Sequence, residues 1–96
     1  TPTTNLMMLR RMGKLIEELN ELGVVAARCI IQGIDEVDPG SGLVNRVRLM
    51  KELADVMAQC MVTIDKLDLD SEAIDCRVAD KLEQMAEWEA MFEEET

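Results

Sequence analysis

The sequence predicts an all-α fold: three long helices forming part of a helical bundle that homo-oligomerisation completes. Three observations carry this. Leu, Met, Ala, Glu and Lys, all good helix formers, dominate the composition. Apolar residues recur at spacings of three and four along three stretches. Two short segments of turn chemistry, at Gln32–Gly42 and Asp68–Ser71, separate those stretches. With 96 residues the chain reads as a single domain, near the small end for burying a core alone. Pooling helices in a homodimer or homotetramer is the expected remedy.

The first helix is expected over about residues 4–31. Thr3, Thr4 and Asn5 are all able to cap it. Met8, Met12, Leu15, Leu19, Leu22, Ala26 and Cys29 form its apolar stripe, with Gly13 and Gly23 weakening it without ending it. The break that follows contains Asp38-Pro39-Gly40-Ser41-Gly42, in which Pro presets φ and the glycines accept positive φ. It is long for a helix–helix connection, and long loops in compact domains are often functional. The second helix is expected over about 43–67, with Val47, Met50, Ala54, Met57, Met61 and Ile64 as its stripe and Leu53, Ala58 and Val62 widening it. The third is expected over about 71–93, capped by Asp70 or Ser71, with Glu72 favourable in its first turn. Its stripe is Ile74, Val78, Met85, Trp88 and Phe92, interrupted by Lys81, with Arg77 one turn earlier. Trp88 is expected to anchor packing, and the eight methionines to fill gaps in the core.

Composition excludes several classes of function. The formal charge is −10, from 20 acidic and 10 basic residues. So acidic a chain lacks the clustered Lys and Arg that grip a nucleic-acid backbone or an anionic membrane surface. No apolar run approaches the ~20 residues of a membrane span, and nothing reads as a signal peptide. Cys29, Cys60 and Cys76 are odd in number and widely spaced, which suits buried, inert thiols in a reducing cytoplasm. There is no histidine, so Ser–His and Cys–His catalysis, His phosphotransfer and Glu-x-x-His di-iron chemistry are absent. No glycine-rich phosphate loop followed by Lys-Ser/Thr is present either.

What remains is carboxylate chemistry. Glu18 and Glu21 on the first helix, and Glu52 and Asp55 on the second, are each three residues apart. On a helix that spacing points both side chains the same way. Glu18 borders the apolar stripe, three after Leu15 and four before Leu22. Two such pairs on packed helices would put four carboxylates around one point, and oxygen-only donors suit Mg²⁺ or Mn²⁺. A bland reading stands beside this one. Glu pairs on helices are commonly solvated, Lys14 can pair with Glu18 at i,i+4, and Lys81 can snorkel from the core edge as readily as bind an anion.

Lys14-Leu-Ile-Glu-Glu-Leu-Asn-Glu-Leu22, followed by Lys51-Glu-Leu-Ala-Asp-Val56, resembles the MazG-like all-α nucleoside triphosphate pyrophosphohydrolases. Their signature is a Glu-Glu-x-x-Glu helix followed by a Glu-x-x-Asp helix. The longer interval from Glu21 to Glu52 looks like that of the small phage or mobile-element type. The resemblance spans roughly residues 6–90. It implies metal-dependent cleavage of an NTP or dNTP between the α and β phosphates, releasing the monophosphate and pyrophosphate. It makes Glu18, Glu21, Glu52 and Asp55 the metal ligands, and Glu17 and Glu18 the carboxylates that position or deprotonate water. It also implies phosphate contacts from Lys81 and Arg77, and a contact from Asn45 to the sugar or base. The alternative is a non-catalytic helical interaction or nucleotide-binding module, in which these carboxylates are ordinary solvated charges.

Overall fold

Helix α1 begins where Asn5 supplies its cap. The Asn5 side-chain oxygen accepts from the Met8 N–H at 3.0 Å, satisfying one of the donors that a helix start leaves unpaired. In this computed structural model, which describes residues 1–95, α1 spans Leu6–Gln32, α2 spans Asn45–Lys66 and α3 spans Ser71–Glu95. No strand occurs among the described residues; the loop before α2 holds one isolated antiparallel bridge, Val37 to Val44.

Gly33 ends α1 at φ 103°, a conformation closed to most side chains, and returns its N–H to the Cys29 carbonyl. The turn between α2 and α3 is a Schellman motif: the Asp68 N–H donates to the Asp65 carbonyl, and the Leu69 N–H to the Ile64 carbonyl. Asp68 occupies the left-handed position at φ 50°, where glycine is usual. Asp70 then caps α3 by accepting from the Ala73 N–H at 3.1 Å.

Helices α1 and α2 form an antiparallel hairpin, and α3 packs along neither of them. The radius of gyration is 17.0 Å, against about 12.5 Å for a compact chain of this length. The faces that meet differ from those the stripes predict. On α1 the inward line is Met8, Met12, Leu15, Glu18, Leu22, Val25 and Cys29, so Glu18 and Val25 lie inside while Leu19 and Ala26 face out. On α2 the inward line is Asn45, Leu49, Glu52, Val56, Gln59 and Thr63. The α2 apolar stripe points away from α1, with Met50, Met57 and Met61 each 65–70 % exposed. Val25 is the one apolar side chain fully buried among the described residues.

The reason lies in the polar groups. The first-turn N–H groups of α2 are satisfied by the connecting loop, Asn45 by the Glu36 carbonyl at 2.9 Å and Arg46 by the Ile34 carbonyl at 2.8 Å. The Asn45 amide donates to Gln32 Oε1 and the Gly33 carbonyl, both at 3.0 Å. This fixes the rotation of α2 about its axis and turns its polar line towards α1. Within the single chain several packing expectations are not met, on α2 because of this rotation and on α3 because that helix does not pack on the hairpin. Most methionines lie outside a core, Cys60 and Cys76 are exposed rather than buried, and Trp88 is 59 % exposed with Phe92 as its edge-on neighbour at 4.7 Å.

Candidate metal centre

Glu18 reaches into the hairpin from α1, and Glu52 and Asp55 from one turn of α2. Each offers one carboxylate oxygen, and the three atoms lie within 4.8 Å of one another. Glu18 and Glu52 are half-buried, Asp55 is exposed, and Oε2 of both Glu18 and Glu52 is shut off from water without a hydrogen-bond partner. Lys14 does not relieve this. It pairs with Glu17 at 3.1 Å, one residue short of the expected Glu18, and that pair is exposed.

Burial raises the Glu18 carboxyl above its ordinary value, and the charges of Glu21, Asp55, Glu52 and Glu17 raise it further. Burial also raises Glu52, with Glu21 and Asp55 adding to the effect and Arg48 opposing it. Glu21 is exposed and stands beside the trio without offering an oxygen to it. Unpaired buried carboxylate oxygens are costly unless a cation meets them. An octahedral ion with oxygens at about 2.1 Å places adjacent ligands about 3.0 Å apart and opposite ligands about 4.2 Å apart. The all-oxygen donor set and the two orphaned atoms suit a hard divalent cation, whose ligand spacing is tighter than the 4.8 Å within which the three oxygens lie.

A cleft of about 490 Å³ adjoins the trio, lined by Asn20, Glu21, Val24, Val25, Arg48 and Glu52. Its cation, Arg48, comes from α2 one turn before Glu52 and is held from behind by the connecting loop. Asp38, 3 % exposed, is the centre of that loop. Its Oδ1 accepts from Arg28 at 3.2 Å and Gln32 at 3.1 Å, and its Oδ2 accepts from the Ser41 N–H at 2.8 Å. Arg48 Nη1 stands 3.4 Å from Oδ2. Ser41 and then Gln32, as hydrogen-bond donors, hold the Asp38 carboxyl down to about 2, against the opposing effect of burial.

The expected site residues thus divide. Glu18, Glu52 and Asp55 come together, with Glu21 adjacent on the cleft wall and Glu17 on the solvent side beside Lys14. Arg77 and Lys81 are exposed on α3, which does not pack on the hairpin, and Lys81 lines a shallow recess with Gln84, Met85 and Trp88 from its own helix. Asn45 is fully buried, with its amide committed to Gln32 and Gly33. It belongs to the α1–α2 connection and presents nothing to a sugar or base.

Sequence reasoning missed Arg48 and Asp38. The i,i+4 spacing of Arg48 and Glu52 was available as a signal. That of Asp38 and Ser41, an Asp taking the N–H three residues on, was read only as turn chemistry. No protein-family model, curated protein or solved structure matches this chain.

Proposed function

We propose that this protein is a metal-dependent nucleoside triphosphate pyrophosphohydrolase, cleaving a (d)NTP between its α and β phosphates to (d)NMP and pyrophosphate. The observation that supports this best is the meeting of Glu18, Glu52 and Asp55, from two different helices, with their ligand oxygens within 4.8 Å. The order of the acidic residues, Glu17-Glu18-x-x-Glu21 then Glu52-x-x-Asp55, matches the MazG-like signature that the sequence resembles.

Glu18, Glu52 and Asp55 are the proposed ligands of Mg²⁺ or Mn²⁺, and Glu21, exposed beside them, is the proposed fourth, joining by turning its side chain from the cleft wall. When bound, the ion supplies neutralisation of phosphate oxygens and acidification of a water. Glu17 or Glu18 would orient the attacking water and take its one proton as the new P–O bond forms and the bond to the leaving pyrophosphate breaks; Glu17 would have to exchange its Lys14 contact to do so. Arg77 and Lys81 reach phosphate only if α3 packs on another copy.

Such packing is part of the proposal. The outward stripe of α2 and the exposed Val78, Leu82, Met85 and Phe92 of α3 are two apolar faces that one chain leaves uncovered. A homodimer or homotetramer that lays one on the other completes the bundle. The three free cysteines accord with a cytoplasmic setting. No helix among the described residues is long and apolar enough to cross a membrane, and the net charge of −10 disfavours nucleic acid as a partner.

The test is pyrophosphate release from a panel of NTPs and dNTPs with Mg²⁺, Mn²⁺ or EDTA. Metal-dependent release with the matching monophosphate is expected. Glu21→Gln should abolish it while keeping the helical content; a fully active Glu21→Gln protein defeats the assignment. The exposed α2 and α3 faces favour a second reading, a non-catalytic module that binds a partner helix or a nucleotide. That reading gains if no nucleotide is cleaved and no divalent ion stabilises the fold.

A further inference from the structure

We propose that Arg48 is the anion-binding residue of this cleft, receiving the polyphosphate oxygens of the substrate, and that Asp38 is the positioning residue that aims it. This deepens the pyrophosphohydrolase reading and rests on it.

A triphosphate entering a cleft walled by Glu21 and Glu52, on a chain of net charge −10, meets repulsion that a cation must answer. Arg48 is the cation on that wall, one helical turn from Glu52 and on the same face. Its side chain is 21 % exposed, and its Nη1 is buried. The contact of Nη1 with Asp38 at 3.4 Å has ion-pair distance but lacks hydrogen-bond geometry, so Nη1 has no hydrogen-bond partner. Nη1 is the side of the guanidinium turned to Asp38; no Arg48 side-chain N–H is committed to a hydrogen bond, so the other edge of the planar fork is left to meet phosphate oxygens.

Asp38 explains why the fork stays in place. Arg28, Gln32 and the Ser41 N–H fix both of its oxygens, so it cannot follow Arg48 outward, and it sits behind the guanidinium as a fixed counter-charge. The loop's length serves this end. Residues 33–44 carry a buried carboxylate from the end of α1 to the back of an α2 side chain. Arg28 is not equivalent, because its Nη1 is bonded to Asp38 Oδ1 at 3.2 Å and its side chain does not line the cleft.

The experiment measures binding of inorganic tripolyphosphate and of non-hydrolysable α,β-methylene dNTPs to the full chain by calorimetry, with Mn²⁺ present. The Mn²⁺-induced rise in Tm is recorded separately. Arg48→Gln should weaken tripolyphosphate binding on the order of tenfold to a hundredfold, leaving helical content and the Mn²⁺ increment in place. Arg48→Lys should recover part of the loss, since it restores charge without the fork. Asp38→Asn should weaken binding less, and the double variant should bind no worse than Arg48→Gln alone, the sign that Asp38 acts through Arg48. Unchanged affinity in Arg48→Gln, with wild-type hydrolysis intact, overturns this inference and leaves the pyrophosphohydrolase standing. Equal loss of affinity, Mn²⁺ increment and helix content overturns it too, since that is a structural role. Failure of the wild type both to bind tripolyphosphate and to cleave any nucleotide overturns both readings together.

Discussion

Adding Mg²⁺ to the metal-free protein should raise its melting temperature by a calculable amount. Glu18 Oε2 and Glu52 Oε2 are buried without partners, and Glu18, Glu52 and Asp55 each offer one carboxylate oxygen, the three within 4.8 Å of one another. An ion held there binds the folded hairpin and not the unfolded chain, in which residues 18 and 52 are far apart. At a free concentration one hundred times its Kd, the ion contributes about 2.7 kcal/mol. For a domain of this size, that is an upward shift on the order of 10–20 °C. Each further tenfold in concentration adds about 1.4 kcal/mol. The assay is thermal unfolding by circular dichroism in EDTA and across a Mg²⁺ or Mn²⁺ series at constant ionic strength. Glu52→Gln is the internal control for simple charge screening. If it weakens affinity a hundredfold, the increment at the same concentration falls to about 0.4 kcal/mol. An equal Tm rise in wild type and Glu52→Gln would refute the reasoning, since screening of the acidic surface then explains it. No rise in either, with both metals, would refute it more directly.

Other outcomes follow from the same geometry. Glu52→Gln should melt higher than wild type in EDTA at neutral pH. The raised Glu18 and Glu52 carboxyls bind protons in the folded state before the unfolded one, so metal-free stability falls as pH rises from about 4.5 through their elevated range, and the substitution flattens that fall. Asp38 has the opposite sign: its contribution is present above pH 3.8 and is lost as pH falls towards about 2, which Asp38→Asn should remove in an acid titration followed by circular dichroism. Val25→Ala removes two methyl groups from the one fully buried apolar side chain and should cost about 1.5–2.5 kcal/mol in urea unfolding. On the proposed oligomeric packing, the wild-type Tm should depend on concentration, and paired Met57→Glu and Met61→Glu substitutions should abolish that dependence and give a monomer by sedimentation, since both side chains stand outside the hairpin.

The helices were legible because they rest on local chemistry: good helix formers, an Asn or Asp cap before two of them, and a Gly at the end of α1. Their rotation was not. The α2 stripe of Met50, Ala54, Met57 and Met61 is a sound amphipathic face, but periodicity says only that such a face exists, not which neighbour covers it. Polar groups settled that choice through Asn45, Gln32 and the loop carbonyls, in contacts between residues 9 to 13 apart that leave no periodic trace. The acidic residues were legible by spacing within each helix, and three of the four do meet. The phosphate contacts expected on α3, from Lys81 and Arg77, rest on the family resemblance, and α3 does not pack on the hairpin. Arg48 leaves no such signal, because it sits where a charged residue looks ordinary, on a helix rich in them.

The polar seam between α1 and α2 has an evolutionary consequence. Glu18 and Glu52 occupy positions where leucine would pack, so the simplest stabilising mutations available to this chain are ones that erase its acidic centre. A lineage drifting without selection for chemistry should lose these two residues early, turning into a sturdier and inert hairpin. Persistence of both in descendants would record a continuing demand for what they do, imposed against the grain of folding.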